Sequence, residues 1–303
     1  MMGQTSRRGA LKCLGMGTGT LFALSGGVFS AIDLARAASE PQSGTPLFVQ
    51  VSDTHIGFNK EANPDVIGTL NRSIDLVNAL PYPPAFAIHT GDVTHLTKPE
   101  EFDTAQQLLK RLRVSDIHVV PGEHDVTDGT GKEFFARFGK ASNNRGWYSF
   151  DAGGVHFAAL VNVMSFRLGG LGALGDEQLA WLKSDLAARK SSEPIVVFAH
   201  MPLWTIYEPW GWGTAEGDQV AGLLRRFGSV TVLNGHIHQI VQKVEGNIIF
   251  HTARSTAYPQ PVAGNGPGPG PLKVPADQLP KMLGVTNVGV VRGSPVLADS
   301  TIG

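Results

Sequence analysis

The sequence predicts an α/β fold built on a mainly parallel sheet. Three observations carry this. Short apolar runs alternate with amphipathic helical stretches between Pro46 and Val120, in the order strand, helix, strand, helix, strand. Each of these runs ends in a cluster of carboxylates and imidazoles, and open parallel sheets bind ligands beyond the carboxyl ends of their strands. At 303 residues with 42% hydrophobic content the chain can bury a full core. It shows no internal repeat and no second apolar unit behind a linker, so a single domain over 38–303 is expected.

The elements follow in order. Pro46-Leu47-Phe48-Val49-Gln50-Val51 reads as a short strand ending in Ser52-Asp53-Thr54-His55. Asn63 to Leu80 reads as a helix with the stripe Ile67, Leu70, Ile74 and Val77, stopped by Pro81-Tyr82-Pro83-Pro84. The strand Ala85 to Thr90 runs into Gly91-Asp92, and Glu100 to Leu112 is the next helix. Ile117 to Val120 is a third strand, ending in Pro121-Gly122-Glu123-His124-Asp125. Gly146 to Asp151 and Val155 to Val163 suit a strand pair around Ala152-Gly153-Gly154. A helix over Asp176 to Ala188 places Leu179, Leu182 and Leu186 on one face. The buried strand Pro194 to Ala199 leads to His200, followed by an aromatic loop with Trp204, Tyr207, Trp210 and Trp212. Gln219 to Phe227 is a short helix before the apolar strand Ser229 to Leu233, which opens into Asn234-Gly235-His236-Ile237-His238. Gly235 is expected to allow a tight turn there. A hairpin over Ile240 to Val244 and Asn247 to Thr252 follows, then a Gly/Pro-rich irregular surface segment over about 259–281, then two short strands around Gly293-Ser294-Pro295.

The first residues are read as an export signal and not as part of the fold. Ser6-Arg7-Arg8-Gly9-Ala10-Leu11-Lys12 puts twin arginines before the apolar stretch Cys13 to Ala31, and Ala35-Arg36-Ala37 offers a small-x-small cleavage site. Ala10 stands where Phe is usual in such signals. Residues 1–37 are thus expected to be a cleaved twin-arginine signal, recognised by the corresponding export machinery, with the mature chain periplasmic or secreted. An uncleaved anchor is the alternative, but Lys12, Asp33 and Arg36 curtail the apolar run. Cys13 is the only cysteine, so the mature chain would carry no thiol. A net charge of −1 argues against broad electrostatic binding to nucleic acid or to anionic membrane.

The polar clusters carry the chemistry. Asp53 with His55, and His236 with His238, are i, i+2 pairs at strand ends, where extended backbone points both side chains to one side. Any one pair could be a hydrogen-bonded turn. Asp53, His55, Asp92, Glu123, His124, Asp125, His200, His236 and His238 together, each at or just past a strand end, read as a site for two cations bridged by a carboxylate. Neutral imidazole with carboxylate favours Mn, Fe, Zn, Co or Ni over Mg or Ca. His95 and His89 flank Asp92 by three residues, and His95 is the better candidate for orienting a ligand or phosphate. His251 and Arg254 on the late hairpin are candidates for substrate contact, Arg254 through bidentate phosphate binding. His118 and His156 alternate within strands and read as structural.

In the order Asp-x-His, Gly-Asp, Gly-x-His-Asp, His, Gly-His-x-His, the chain resembles the calcineurin-like metallophosphoesterase superfamily. Within it, the chain is similar to exported bacterial members related to class III cyclic nucleotide phosphodiesterases. The resemblance implies a four-layer α/β/β/α sandwich of two mixed sheets flanked by helices. It implies that Asp53, His55, Asp92 and His238 hold one metal and that Asp92 bridges to a second held by residue 123, His200 and His236. It further implies that a hydroxide between the metals attacks phosphorus in line, that His124 stabilises the transition state or protonates the leaving group, and that Asp125 orients the His124 ring.

One position departs from the superfamily's Gly-Asn-His-Asp: here it is Gly122-Glu123-His124-Asp125. With Asn, two carboxylates and a hydroxide against two divalent cations leave the site at plus one, and an ionised Glu123 lowers it to zero. A trivalent ion beside a divalent one, such as Fe(III) with Mn(II) or Zn(II), restores plus one. A Glu123 that points away or is protonated is the alternative. The expected function is a binuclear phosphoester hydrolase with two transition-metal ions (Mn, Fe or Zn), acting on a small-molecule phosphodiester. The alternatives are a phosphomonoesterase or nucleotidase, or a non-catalytic exported metal- or anion-binding protein, against which the His124–Asp125 dyad argues.

Overall fold

The computed structural model describes residues 20–25, 28–33, 47–81, 83–165, 170–291 and 294–303. The twin arginines, Cys13 and the Ala35-Arg36-Ala37 site lie outside the described residues. Within the segment read as a leader, β1 (Thr20–Ser25) and β2 (Val28–Asp33) pair as an antiparallel hairpin.

The remaining strands form two mixed sheets. The first contains β3 (Leu47–Val51), β4 (Phe86–His89), β5 (Ile117–Val119), β12 (Gly284–Val291) and β13 (Ser294–Thr301), in the order β13-β12-β3-β4-β5. β3, β4 and β5 are parallel; β12 runs antiparallel to β3. The second contains β6 (Tyr148–Ala152), β7 (Val155–Ala159), β8 (Ile195–Phe198), β9 (Val230–Asn234), β10 (Gln242–Glu245) and β11 (Ile248–Thr252), in the order β10-β11-β9-β8-β7-β6. β7, β8, β9 and β11 are parallel, and antiparallel strands close both edges. β4, β8 and β9 are buried along their whole length, which is why they read as unbroken apolar runs without alternation.

Three cores separate four layers. Between the sheets lie Phe48, Phe86, Ile88, Phe157, Val196, Phe198, Leu233 and Val288. There Phe48 stacks on Phe86 at 5.1 Å, and Phe157 meets both edge-on at 5.4 and 5.3 Å. Outside the first sheet, Val49, Val51 and Ala87 pack on α1 (Val66–Asn78) and α2 (Pro99–Leu109) through Leu70, Ile74, Val77, Phe102 and Ala105. Outside the second, Ala158, Val197 and Val232 pack on α4 (Asp176–Ala187) and α5 (Gly217–Leu224) through Leu182, Leu186, Val220 and Leu224.

Local chemistry sets the helix ends. Asp65 caps α1 by accepting from the Gly68 N–H at 2.8 Å, and Pro99 opens α2 with Glu100 and Glu101 in its first turn. The stripe of α1 is shifted from its expected position: Val66 is buried and Ile67 is 43% exposed. At 3.6 residues per turn Val66 sits over Leu70, Ser73 and Val77, and Ile67 falls at the rim. Two short helices escaped the sequence reading, α3 (Lys132–Phe138), whose Phe134, Phe135 and Phe138 pack on the outer core of the first sheet, and α6 (Leu279–Met282).

Candidate metal centre

The carboxyl ends of β3, β4 and β5 in one sheet and of β8 and β9 in the other meet over the inter-sheet core. The two loops of the first sheet are zipped together there: Asp53 N–H donates to Gly91 O at 3.0 Å, His55 N–H to Asp92 O at 2.9 Å and Ile56 N–H to Val93 O at 3.1 Å. Asp53, His55, Asp92, His236 and His238 all have left-handed backbone, with φ of 52°, 40°, 52°, 71° and 55°. That conformation costs a non-glycine residue about 1–2 kcal/mol, and clustering of it is a mark of a functional site. Gly235 differs from expectation. Its φ is not positive; a Cβ on it would run into Ser52 Oγ and Asp53 Oδ2, so glycine is needed for close approach and not for a turn.

Two donor sets result. Asp53, His55, Asp92 and His238 bring one ligand atom each within 4.8 Å of one another, and so do Glu123, His200 and His236. Asp92 Oδ2 faces both, 3.4 Å from His55 Nε2 and 3.5 Å from His200 Nε2. His238 Nε2 is 3.4 Å from Asp53 Oδ1 and 3.1 Å from His55 Nε2. Glu123 points inwards, placing Oε2 2.8 Å from His200 Nε2 and Oε1 2.9 Å from His236 Nδ1.

The ring nitrogens are oriented for coordination. His200 Nδ1 lies 2.6 Å from Thr90 O and His238 Nδ1 2.6 Å from Tyr258 O. A carbonyl can only accept, so both rings donate from Nδ1 and turn Nε2 to the site. Asp53 accepts from the His236 N–H at 3.1 Å and from Ser52 Oγ, which accepts in turn from Thr90 Oγ1 at 2.6 Å. Burial pushes the His200 imidazole down, but Asp92 and Glu123 outweigh it and hold it well above its usual value. Burial likewise pushes the Glu123 carboxyl up, and His236 and His200 outweigh that and hold it well below the carboxylate range.

The residues fit a pair of metal ions. Glu123 Oε2, His200 Nε2 and both ring nitrogens of His236 are buried without an aligned hydrogen-bond partner. Buried polar atoms are normally paired, so donors that converge without pairing mark a place for a cation. Carboxylate with imidazole is the donor chemistry of borderline transition metals.

Around these sets the expectations divide. His95 joins the site: it stacks on His124 at 4.8 Å, its Nδ1 is 3.4 Å from His55 Nδ1, and its carbonyl accepts from His124 Nδ1 at 2.8 Å. The expected Asp125 contact on the His124 ring is corrected. Asp125 accepts from the backbone N–H groups of Val93 (3.0 Å), Thr94 (2.8 Å) and Gly122 (3.0 Å), so it fixes the loops that carry Asp92 and His124, and the His95 carbonyl orients the ring. The expected substrate contact of His251 is corrected too. His251 is buried between the sheets, its Nε2 3.2 Å from Asp299 Oδ1 on β13, because the parallel register with β9 carries it into the sheet interior. Arg254 is half-buried; burial pushes the Asp299 carboxyl up, and His251, with smaller help from Thr286 and the Arg254 charge, outweighs this and holds it below its usual value. His89 supports the site from behind, accepting from the Gly91 N–H at 3.2 Å. His156 is held by Asp151 and Asp185 at the amino-terminal end of β7, away from the carboxyl ends that form the site.

The sequence reading missed Tyr258 and Gln260. Tyr258 is buried with its hydroxyl 3.2 Å from His55 Nε2, and Gln260 Nε2 donates to His236 O at 2.8 Å. Both lie at the start of the Gly/Pro-rich segment, which has no periodicity to place them. The Trp loop packs as a cap, with Trp210 and Trp212 against Ile237 between the two histidines of the His-x-His pair.

A family model described as calcineurin-like phosphoesterase matches residues 46–240. The protein of Arcobacter nitrofigilis named probable glycerophosphodiester phosphodiesterase GpdQ is 27% identical over 230 residues, covering 70% of this chain and 79% of that protein. Purple acid phosphatase 15 of Arabidopsis thaliana is 30% identical over 134 residues, covering 40% of this chain and 24% of that protein. A dimetal phosphatase of Danio rerio superposes with a TM-score of 0.66 at 14% identity, over 85% of this chain and 97% of that one, a likeness of fold.

Proposed function

The chain belongs to the calcineurin-like phosphoesterase family, and from that premise we propose that it hydrolyses phosphodiesters, glycerophosphodiesters among them, at a two-metal centre. The observation that carries the proposal is the position of Asp92 Oδ2, 3.4 Å from a donor of one set and 3.5 Å from a donor of the other. The diester class is supported by the likeness to GpdQ, which spans most of that protein. When bound, a pair of transition-metal ions supplies charge stabilisation for the phosphoryl oxygens and brings a water towards ionisation near neutral pH.

The chain's own residues do the rest. Asp53, His55, Asp92 and His238 would hold one ion, and Asp92, Glu123, His200 and His236 the other. His124 has Nδ1 committed to the His95 carbonyl, which leaves Nε2 to give a proton to the leaving oxygen. Burial pushes its imidazole down, and Asp92 and Glu123 outweigh this and hold it above the usual value. The metals are Mn, Fe or Zn. The inward Glu123 adds a charge that favours a trivalent ion beside a divalent one. Arg7-Arg8 supports twin-arginine export to the periplasm or beyond.

The test is hydrolysis of a chromogenic phosphodiester, the matching monoester and a glycerophosphodiester by metal-loaded protein, with Asp92→Asn as control. Diester turnover that disappears in the control is expected. Turnover confined to the monoester would replace the diesterase reading by a phosphatase one.

A further inference from the structure

Among the described residues at the centre, Tyr258 carries a hydroxyl that the metal sets leave without a task. Its main chain and its ring are already committed. The carbonyl accepts from His238 Nδ1 at 2.6 Å, and the ring packs on His55 at 4.8 Å, on His238 at 4.7 Å and on Phe58 at 4.3 Å. Four contacts on three sides fix where the hydroxyl points. It is 3% exposed, and among the described residues it makes one hydrogen bond, to His55 Nε2 at 3.2 Å. That nitrogen also lies 3.1 Å from His238 Nε2 and 3.4 Å from Asp92 Oδ2, so the phenol oxygen sits directly beside a donor that faces the rest of the first set.

A ring nitrogen has one lone pair. If His55 Nε2 gives it to a metal, it can no longer accept from Tyr258. The O–H is then a buried donor in want of an acceptor, held rigidly beside the ion, and a buried unsatisfied donor is unfavourable. The chemistry that would satisfy it is an anionic oxygen bound at the same ion. Resting on the two-metal phosphoesterase reading, we propose that Tyr258 is a further catalytic residue: its hydroxyl donates to a non-bridging oxygen of the bound phosphoester, and filling of the metal set is what frees it to do so. The ion and the phenol would then share the charge of that oxygen. This ties substrate binding on the Asp53–His55–His238 side to prior metal binding.

The test is Tyr258→Phe, which keeps the ring and its packing and removes only the donor. Metal content per chain is measured on the purified loaded protein, and inorganic phosphate binding is measured by calorimetry on the same samples, with diester turnover alongside. The expected result is an unchanged content of two ions, phosphate binding weakened by about tenfold or more, as for loss of a hydrogen bond to a charged group, and a parallel fall in kcat/KM. Unchanged phosphate binding with both ions in place would overturn the proposal, since the hydroxyl then does not reach the ligand. Loss of one ion would also overturn it, by making the phenol a metal donor. A wild-type protein that binds two ions and phosphate yet turns over no diester would count against the function proposed above and leave the Tyr258 contact standing.

Discussion

Replacing Glu123 by Gln removes one charge and keeps the length and one oxygen donor. In the structure the carboxylate spans His200 Nε2 at 2.8 Å and His236 Nδ1 at 2.9 Å, so a cation held by those imidazoles lies against it. Each unit of cation charge about 4 Å from the carboxylate contributes about 4 kcal/mol at an effective permittivity near 20. Part of this is offset, because the buried carboxylate was stripped of water to be there. A net loss of about 3 kcal/mol remains, or about 100-fold in a dissociation constant. The loss should fall on one ion only, because Asp53, His55 and His238 do not touch Glu123. Extensive dialysis followed by elemental analysis should find two ions per wild-type chain and one per variant, and chelator competition should give the affinity ratio. Two ions retained by the variant with unchanged affinity would refute the charge argument.

Three further outcomes are expected. His124→Asn should lower kcat by about 100-fold or more on alkyl diesters and by less on nitrophenyl esters, whose leaving group needs no proton; equal losses on both would remove the acid role. Gly235→Ala should destabilise by about 1–3 kcal/mol through overpacking against Ser52 and Asp53 and should weaken metal binding with it, as read by urea denaturation and metal content. For His156, burial lowers the imidazole, but hydrogen bonds to Asp185 at 2.7 Å and Asp151 at 2.8 Å outweigh it and raise it above 6.5. Its contribution is therefore full below 6.5 and fades as pH rises through the raised value, so the stability gap to His156→Asn should be wider at about pH 6 than at about pH 9; a gap that widens with pH would show the ion pairs to be idle.

The residues of the two donor sets were legible because each ends an apolar run, and a parallel sheet has one place to put such residues. What was not legible depends on contacts between distant segments. Asp125 adjoins His124 in sequence, yet its carboxylate turns to the Val93 and Thr94 N–H groups, which no spacing announces. His251 follows the His-x-His motif closely, but the β9–β11 register buries it against Asp299. Tyr258 stands just before the segment read as irregular, where no periodicity marks it, and its place follows from stacking on His55. Gly235 was rightly singled out as glycine for a reason that only the facing Ser52 reveals.

The two donor sets share one composition: a carboxylate of their own, a pair of imidazoles and a half share in Asp92. Such a centre is nearly a palindrome. Read from either end it offers a phosphoester the same charges, so the ligands alone give the substrate no head and no tail. Direction must come from what breaks the likeness, and the structure puts those elements on one flank: the Tyr258 phenol and the stacked His95–His124 pair all lie against His55. Which oxygen leaves is then decided by the neighbours of a single histidine, and a change of substrate preference should be sought there sooner than among the ligands.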